Sequence, residues 1–353
     1  MKIIHTADLH LDSRLETNLD PIKAKERKRE LLLSFENLVN YAIKNEVDAV
    51  LISGDLFDRP KTSAKTKEYI LDVIEQASSI EFFLIYGNHD EYIFSEHLVT
   101  LPANLHVFSE KWETISLDDV DITGISGQDI SEATFDNLVL DKDKINIVML
   151  HGDINQSKSI PLNMLKNRYI DYLALGHYHK YQKGRLDNRG IWAYPGCLEG
   201  RGFDEEGKKG FILLNIDAQI EANFIPFSKR VLHDIRVDIT ECENWSDIKK
   251  SISLELNDIP QTDMISICLA GAYDIDLIKQ TDILEASLSQ QYFFARIVDD
   301  SRLRINPLDY ENDVSLKGEF IRNVLKSEMP YDDKIRIIEY GIKALMKEEI
   351  EWS

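Results

Sequence analysis

Lys2-Ile3-Ile4-His5-Thr6-Ala7-Asp8-Leu9-His10 begins as a short, β-prone apolar run and breaks at once into the D-x-H triplet Asp8-Leu9-His10. The same event recurs along the first half of the chain. Residues 48–52 lead into Gly54-Asp55, 81–86 into Gly87-Asn88-His89-Asp90, 146–150 into His151-Gly152-Asp153, and 172–175 into Gly176-His177-Tyr178-His179. Between the first runs the periodicity switches to that of helices. Residues 22–44 align Leu32, Phe35, Leu38, Val39 and Ala42 on one stripe, and residues 63–77 align Ile70, Leu71, Ile74 and Ala77. Short β runs alternating with amphipathic helices predict an α/β protein.

A single D-x-H or G-D arises by chance in many chains, but five such groups at successive strand ends do not. Strand carboxyl ends are where α/β sheets place ligand sites, so these side chains can meet in one crevice. Residues two apart on a strand point to the same side, so D-x-H and H-x-H can each offer two donors to one centre. Imidazole nitrogens mixed with carboxylate and amide oxygens suit Mn, Fe(II) or Zn better than Ca or Mg. The candidate ligands are Asp8, His10, Asp55, Asn88, His151, His177 and His179. That set is too large for one ion and fits two that share a carboxylate. Two ions so placed clamp a phosphate and activate water, which predicts a dinuclear phosphoesterase.

Composition narrows the class further. Of 353 residues 43% are hydrophobic, and 41 basic against 62 acidic side chains leave a formal net charge of −21. Such a chain does not grip nucleic acid through a broad basic surface; a polyanionic substrate would need bound cations or a basic partner subunit. No apolar run approaches the ~18–20 residues of a membrane span, and polar residues follow Met1 too soon for a signal peptide, so cytoplasmic residence and no membrane association are expected. Cys197, Cys242 and Cys268 form no C-x-x-C pair and read as small buried apolar residues. The basic residues within 23–29 read as a solvated helix face. Asp12, Asp58, Asp90 and Asp153 read as turn caps or as carboxylates orienting a ligand histidine. His5, His97, His106 and His233 belong to no motif and are expected to be structural.

A change of pattern at 226–230 suggests a boundary. Beyond it come strand 232–239, helix 245–256, strand 264–270, helix 275–289 and strand 292–298. Two amphipathic helices follow, 316–326 and 332–349, separated by Pro330. The expected division is a catalytic domain over 1–228, a small α+β domain over 229–304 and a helical tail over 305–353. The tail either packs on its own chain or docks a partner.

The motif series D-x-H, G-D, G-N-H-D, H and G-H-x-H resembles the calcineurin-like metallophosphoesterase superfamily. His5 to Asp12, Gly54-Asp55-Leu56-Phe57-Asp58, Gly176 to His179 and the run Tyr194 to Phe211 are similar to the DNA repair exonuclease group that includes bacterial SbcD and YhaO-like proteins. The resemblance implies a four-layer α/β/β/α sandwich with a small α+β capping domain and a C-terminal helical tail. It implies that Asp8, His10, Asp55 and His179 hold one ion and Asp55, Asn88, His151 and His177 the other, with Asp55 as bridge and His89 as the catalytic histidine. It further implies two manganese ions, 3′-to-5′ exonuclease and single-strand endonuclease activity on DNA, a homodimer, and an SbcC-like ATPase docked on the tail. One departure is that Asp58 stands where many archaeal and eukaryotic relatives carry a histidine. Arg201, set between Gly200 and Gly202, either cradles a phosphate or belongs to a turn that needs no ligand. Two other activities share the ligand set or the architecture: a phosphomonoesterase or cyclic-nucleotide phosphodiesterase, and a weakly active structural subunit of an ATPase complex.

Overall fold

The computed structural model describes residues 1–13, 15, 19–58, 62–89, 94, 100–127, 132–154, 160–217 and 219–346. The chain divides into two compact units, Met1–Leu232 and His233–Ser353. None of the helices among the described residues is long and apolar enough to cross a membrane.

The first unit stacks two six-stranded sheets. One contains β1 (Lys2–Thr6), β2 (Ala49–Ser53), β3 (Glu81–Ile85), β4 (Leu105–Val107), β11 (Gly210–Ile216) and β12 (Ile220–Pro226), in the order β12-β11-β1-β2-β3-β4. The other contains β5 (Glu113–Leu117), β6 (Val120–Gly124), β7 (Ile145–His151), β8 (Tyr172–Gly176), β9 (Gln182–Arg185) and β10 (Ile191–Tyr194), in the order β5-β6-β7-β8-β10-β9. Strands β1 to β4 run parallel, as do β6, β7, β8 and β10.

Side-chain alternation explains why these strands read as unbroken apolar runs: both faces are buried. Ile3, Leu51, Phe83 and Ile85 meet Ile147, Met149, Tyr172 and Ala174 in the core between the sheets. The intervening residues Ile4, Val50, Ile52, Phe82 and Leu84 face the opposite way and pack on α1 (Pro21–Lys44) and α2 (Ala64–Gln76). On the far side, Val148, Leu150, Leu173 and Leu175 join a cluster with Phe135 of α3 (Glu132–Asp136) and Leu165 of α4 (Leu162–Leu165). The layers are therefore α/β/β/α. Asp20 caps α1 by accepting the backbone N–H groups of Ile22 and Lys23, and Pro21 occupies the first turn, where its missing N–H costs nothing.

The expected solvated basic face on α1 needs correction at Arg27, whose side chain is 2% exposed. Its Nη1 donates to Glu30 Oε2 at 2.7 Å and to Glu199 Oε2 at 3.2 Å, and Nη2 donates to the Gly200 carbonyl at 2.8 Å. Arg230 donates to Glu30 and Glu26 from the other side. This buried ionic cluster ties the segment around residue 230 to α1. A charge so far from water persists only where it is paired and hydrogen-bonded.

The second unit builds the sheet β13-β14-β16 from β13 (Leu232–Asp238), β14 (Met264–Ala270) and β16 (Phe294–Asp299), with helices α5 (Trp245–Glu255) and α6 (Thr281–Gln291). A short parallel pair joins β15 (Ala272–Asp274) to β17 (Arg302–Arg304). Helix α6 starts later than the apolar pattern from residue 275 suggests. Ile275 and Leu277 are buried, but they project from the segment after β15, and the helix begins only past Gln280, which has φ 49°. Ile321 and Val324 of α7 (Leu316–Leu325) and Ile338 and Ile342 of α8 (Tyr331–Met346) share one hydrophobic cluster with Val237, Ile267, Leu269 and Leu303. Residues 347–349, included in the expected last helix, lie outside the described residues.

Candidate metal centre

The carboxyl ends of β1, β2 and β3 in one sheet and of β7 and β8 in the other meet along one edge of the sandwich. There the segments after β1 and β2 run side by side: the N–H groups of Asp8, His10 and Leu11 donate to the carbonyls of Gly54, Asp55 and Leu56 at 3.1, 2.9 and 3.0 Å. Asp8, His10, Asp55 and His177 all have positive φ, at 53°, 47°, 52° and 110°. For residues other than glycine this conformation costs of order 1–3 kcal/mol each, and such strain gathers at functional sites. The glycines admit close approach. A Cβ on Gly54, itself at φ 89°, would stand 2.2 Å from His151 Nδ1, and one on Gly176 would stand 1.9 Å from the Ser53 carbonyl oxygen.

Each inward imidazole except that of His177 is held by its Nδ1 against an oxygen. His151 Nδ1 donates to the Ser53 carbonyl at 2.9 Å, His179 Nδ1 to Glu205 Oε1 at 2.7 Å, and His10 Nδ1 lies 3.4 Å from Asp58 Oδ1. The Ser53 and Glu205 oxygens assign the ring protons of His151 and His179 to Nδ1, and the Nε2 atoms of all three rings turn inward. The inward atoms then face one another. His10 Nε2 and His179 Nε2 are 3.1 Å apart, and His151 Nε2 lies 3.0 Å from Asn88 Oδ1 and 3.4 Å from Asp55 Oδ2. Asp55 Oδ2 is also 3.7 Å from His10 Nε2, which sets this carboxylate between the two groups.

Donor atoms at such distances need a proton or a metal ion between them, and the residues present fit divalent ions. Two nitrogens each about 2.1 Å from one ion and at right angles stand about 3 Å apart, close to the His10–His179 separation. The field of the site agrees. Burial works to lower His151, yet its hydrogen bond to Asp55 and the charges of Asp55 and Asp8 raise it to about 9. Burial likewise opposes His179, which Glu205 and Asp8 nevertheless raise. Burial works to raise Asp55, but His151, His10 and the His89 N–H hold its carboxyl well below the usual range. Asp8, wholly buried, is raised by desolvation. His10 is lowered by burial, and His177 by burial and by the charge of His151.

Three carboxylate–imidazole groups lie close enough to share an ion: Asp8, His10 and His179; Asp8, Asp55 and His151; and His10, Asp58 and His89. Of the ligands expected from sequence, Asp8, His10, Asp55, Asn88, His151 and His179 come together directly. His177 joins through its ring, whose centroid is 5.5 Å from that of His151, and through its backbone N–H, which donates to Asp8 Oδ1 and Oδ2 at 2.9 and 3.0 Å. The His89 ring packs edge-on to His10 with centroids 4.9 Å apart, its N–H donates to Asp55 Oδ1 at 2.9 Å, and its Nδ1 donates to the Asp58 carbonyl at 3.1 Å.

The remaining carboxylates and histidines have separate partners. Asp12 accepts the N–H of Ser63, the cap of α2. His5 is buried between the sheets with Nδ1 2.8 Å from the Tyr172 hydroxyl, while His106 pairs with Glu81 and His233 with Asp263. Asp90 and His97 lie outside the described residues. The three cysteines are free thiols. Sequence reasoning assigned no role to Glu205, whose carboxylate orients His179 from 26 positions away. No spacing signal links the two.

The sheets and the ring of donors at their shared edge define a metal-dependent phosphoesterase architecture. Residues 1–181, more than half of the chain, match the family described as calcineurin-like phosphoesterase, and the chain belongs to that family. It is 28% identical over 267 residues to an uncharacterized metallophosphoesterase, YhaO, of Bacillus subtilis, covering 70% of this chain and 65% of that protein. It is 26% identical over 268 residues to the DNA double-strand break repair protein Mre11 of Aeropyrum pernix, covering 67% of this chain and 64% of that one. The chain thus spans slightly under two thirds of the length of these relatives. Among solved structures, TT1561 of Thermus thermophilus covers 63% of this chain and 98% of its own at 14% identity, with a TM-score of 0.42.

Proposed function

We propose that this chain is a dinuclear, manganese-using DNA nuclease of the cytoplasm, a 3′-to-5′ exonuclease and single-strand endonuclease that works in DNA repair. The observation that carries the dinuclear part is the position of Asp55, with its Oδ2 3.4 Å from His151 Nε2 on one side and 3.7 Å from His10 Nε2 on the other. One ion would be held by Asp8, His10, Asp55 and His179, the other by Asp55, Asn88, His151 and His177. When bound, two such ions supply Lewis acidity and an activated nucleophile for in-line displacement at phosphorus.

The protein's own part is to aim donors and place a proton. Ser53 and Glu205 fix the rings of His151 and His179 by hydrogen bonds and Asp58 faces His10 Nδ1 at 3.4 Å, so the ligand atoms are arranged before any ion arrives. His89 spends its Nδ1–H on the Asp58 carbonyl, leaving Nε2 as the atom that can hand a proton to a leaving oxygen. That transfer needs the imidazolium form.

DNA as substrate is supported by the Mre11 relative, a protein named for double-strand break repair. A net charge of −21 is consistent with a nuclease subunit that relies on its metal ions and on a partner for the affinity of a polyanion. We take that partner to be an SbcC-like ATPase docking on the tail helices, and the catalytic unit to act as a homodimer. The test is an assay on 3′-labelled duplex and on single-stranded circles, with and without manganese. Manganese-dependent shortening from the 3′ end and nicking of the circles are expected. Hydrolysis of nitrophenyl phosphate or cyclic nucleotides with no action on DNA would favour the small-substrate phosphatase instead.

A further inference from the structure

Arg201 does not reach outward for a phosphate; it is spent inside the protein. Its side chain is 18% exposed and lies between two carboxylates, Asp58 at 14% and Glu205 at 4%. Nη1 donates to Asp58 Oδ1 at 3.0 Å, while Nε and Nη2 donate to Glu205 Oε1 at 3.1 and 2.7 Å. The other oxygen of Glu205 accepts the backbone N–H of Arg201 at 2.8 Å, so one residue fixes both ends of that carboxylate. The two carboxylates are those that face Nδ1 of His10 and Nδ1 of His179. A circuit runs by hydrogen bonds from Asp58 through Arg201 and Glu205 to His179, and His10 closes it by approach alone, its Nδ1 3.4 Å from Asp58 and its Nε2 3.1 Å from His179 Nε2.

We propose that Arg201 is a positioning residue for one metal ion only, the guanidinium holding Asp58 and Glu205 at a fixed separation and thereby fixing the aim of His10 and His179. This rests on the dinuclear reading given above and adds a selectivity to it. Left to themselves, two poorly solvated carboxylates repel and swing apart, and each would carry its imidazole with it. The planar fork of arginine, with five N–H donors in rigid directions, can hold both; a lysine ammonium is a point charge on a flexible stem and cannot reproduce the spacing. Of the two imidazoles assigned to the other ion, His151 has no such dependence. His151 is oriented by the Ser53 carbonyl at the end of β2, a backbone group that Arg201 does not touch. Loss of Arg201 should therefore act on one side of the bridging Asp55 and spare the other.

The test is manganese binding to the full chain, read by calorimetry and by the electron spin resonance signal of free ion, with no activity measurement required. The parent should bind two ions. Arg201→Ala should weaken one of them ~10–100-fold, the range for loss of an outer partner of a metal ligand, and leave the other within about twofold. Arg201→Lys should recover little of the loss, and Asp58→Asn, which removes one arm of the circuit at nearly constant volume, should weaken the same ion. Should Arg201→Ala fail to fold by circular dichroism, the Asp58→Asn and Arg201→Lys titrations decide. Unchanged binding, equal weakening of both ions, or full rescue by lysine would overturn the positioning role. A parent chain that binds fewer than two ions would instead overturn the dinuclear assignment itself.

Discussion

Replacing Ile338 by alanine tests whether the last two helices belong to the second unit or merely hang from it. Ile338 lies in α8 and is 0% exposed, in one cluster with Ile321 of α7 and with Ile267, Leu269 and Leu303 of the small sheet. The change deletes three carbons, about 2.4 kcal/mol at ~0.8 kcal/mol each, and the cavity left behind brings the cost to ~2–5 kcal/mol. For a unit of this size that lowers the melting temperature by on the order of 10–20 °C. Leu316, in α7 but 68% exposed, is the control, and Leu316→Ala should stay within ~0.5 kcal/mol of the parent. Hydrogen exchange resolved by peptide would localise the effect: faster exchange over residues 233–346, unchanged exchange over 1–232. Truncation after Pro307 removes Ile321, Val324, Ile338 and Ile342 together. At ~1.5–3 kcal/mol each that is comparable with the whole stability of a domain, so the second unit should unfold. If Ile338→Ala proved as mild as Leu316→Ala, the assignment of the tail helices to this core would be wrong.

His89→Ala should keep both ions and lower turnover ~10²–10⁴-fold, measured by metal content alongside DNA cleavage; loss of metal would make His89 a ligand. Glu30 supplies a pH test. Burial works to raise it, but Arg230, Lys229 and Arg27 lower it from 4.5 to about 2. A depressed acid stabilises the fold above its unfolded pKa, so Glu30 contributes stability near neutrality that fades as pH falls from 4.5 through 2. Glu30→Gln should be destabilised at pH 7, with the gap to the parent closing toward pH 2 in denaturant titrations. A gap independent of pH would refute the ionic origin.

How much was legible in advance depended on how local the cause was. Strands β1 and β14 start and stop where the apolar runs do, because a strand buried on both faces writes itself as a continuous apolar segment. The α/β class and the layered sandwich followed from those runs and from the motif resemblance. Long-range pairs left no trace in the sequence. Arg27 looked like part of a solvated face because its partner Glu199 is 172 positions away. The circuit through Arg201, Asp58 and Glu205 was invisible for the same reason: Arg201 and Asp58 are 143 positions apart. In the second unit, Ile275 and Leu277 were drawn into the expected helix because they are apolar, although they stand two apart, the spacing of one face of an extended segment, and they are buried ahead of the helix.

Whether two divalent ions share Asp55 is decided by counting them. The full chain is loaded with manganese, dialysed and analysed for metal per chain, beside Asp55→Asn. The substitution preserves size and can still accept the His89 N–H, 2.9 Å from Asp55 Oδ1, so the fold should survive while the charge between the ions is lost. Two ions per parent chain and at most one tightly held ion in Asp55→Asn are expected. A parent that holds a single ion, or an Asp55→Asn protein that retains two, would contradict the bridging role of Asp55.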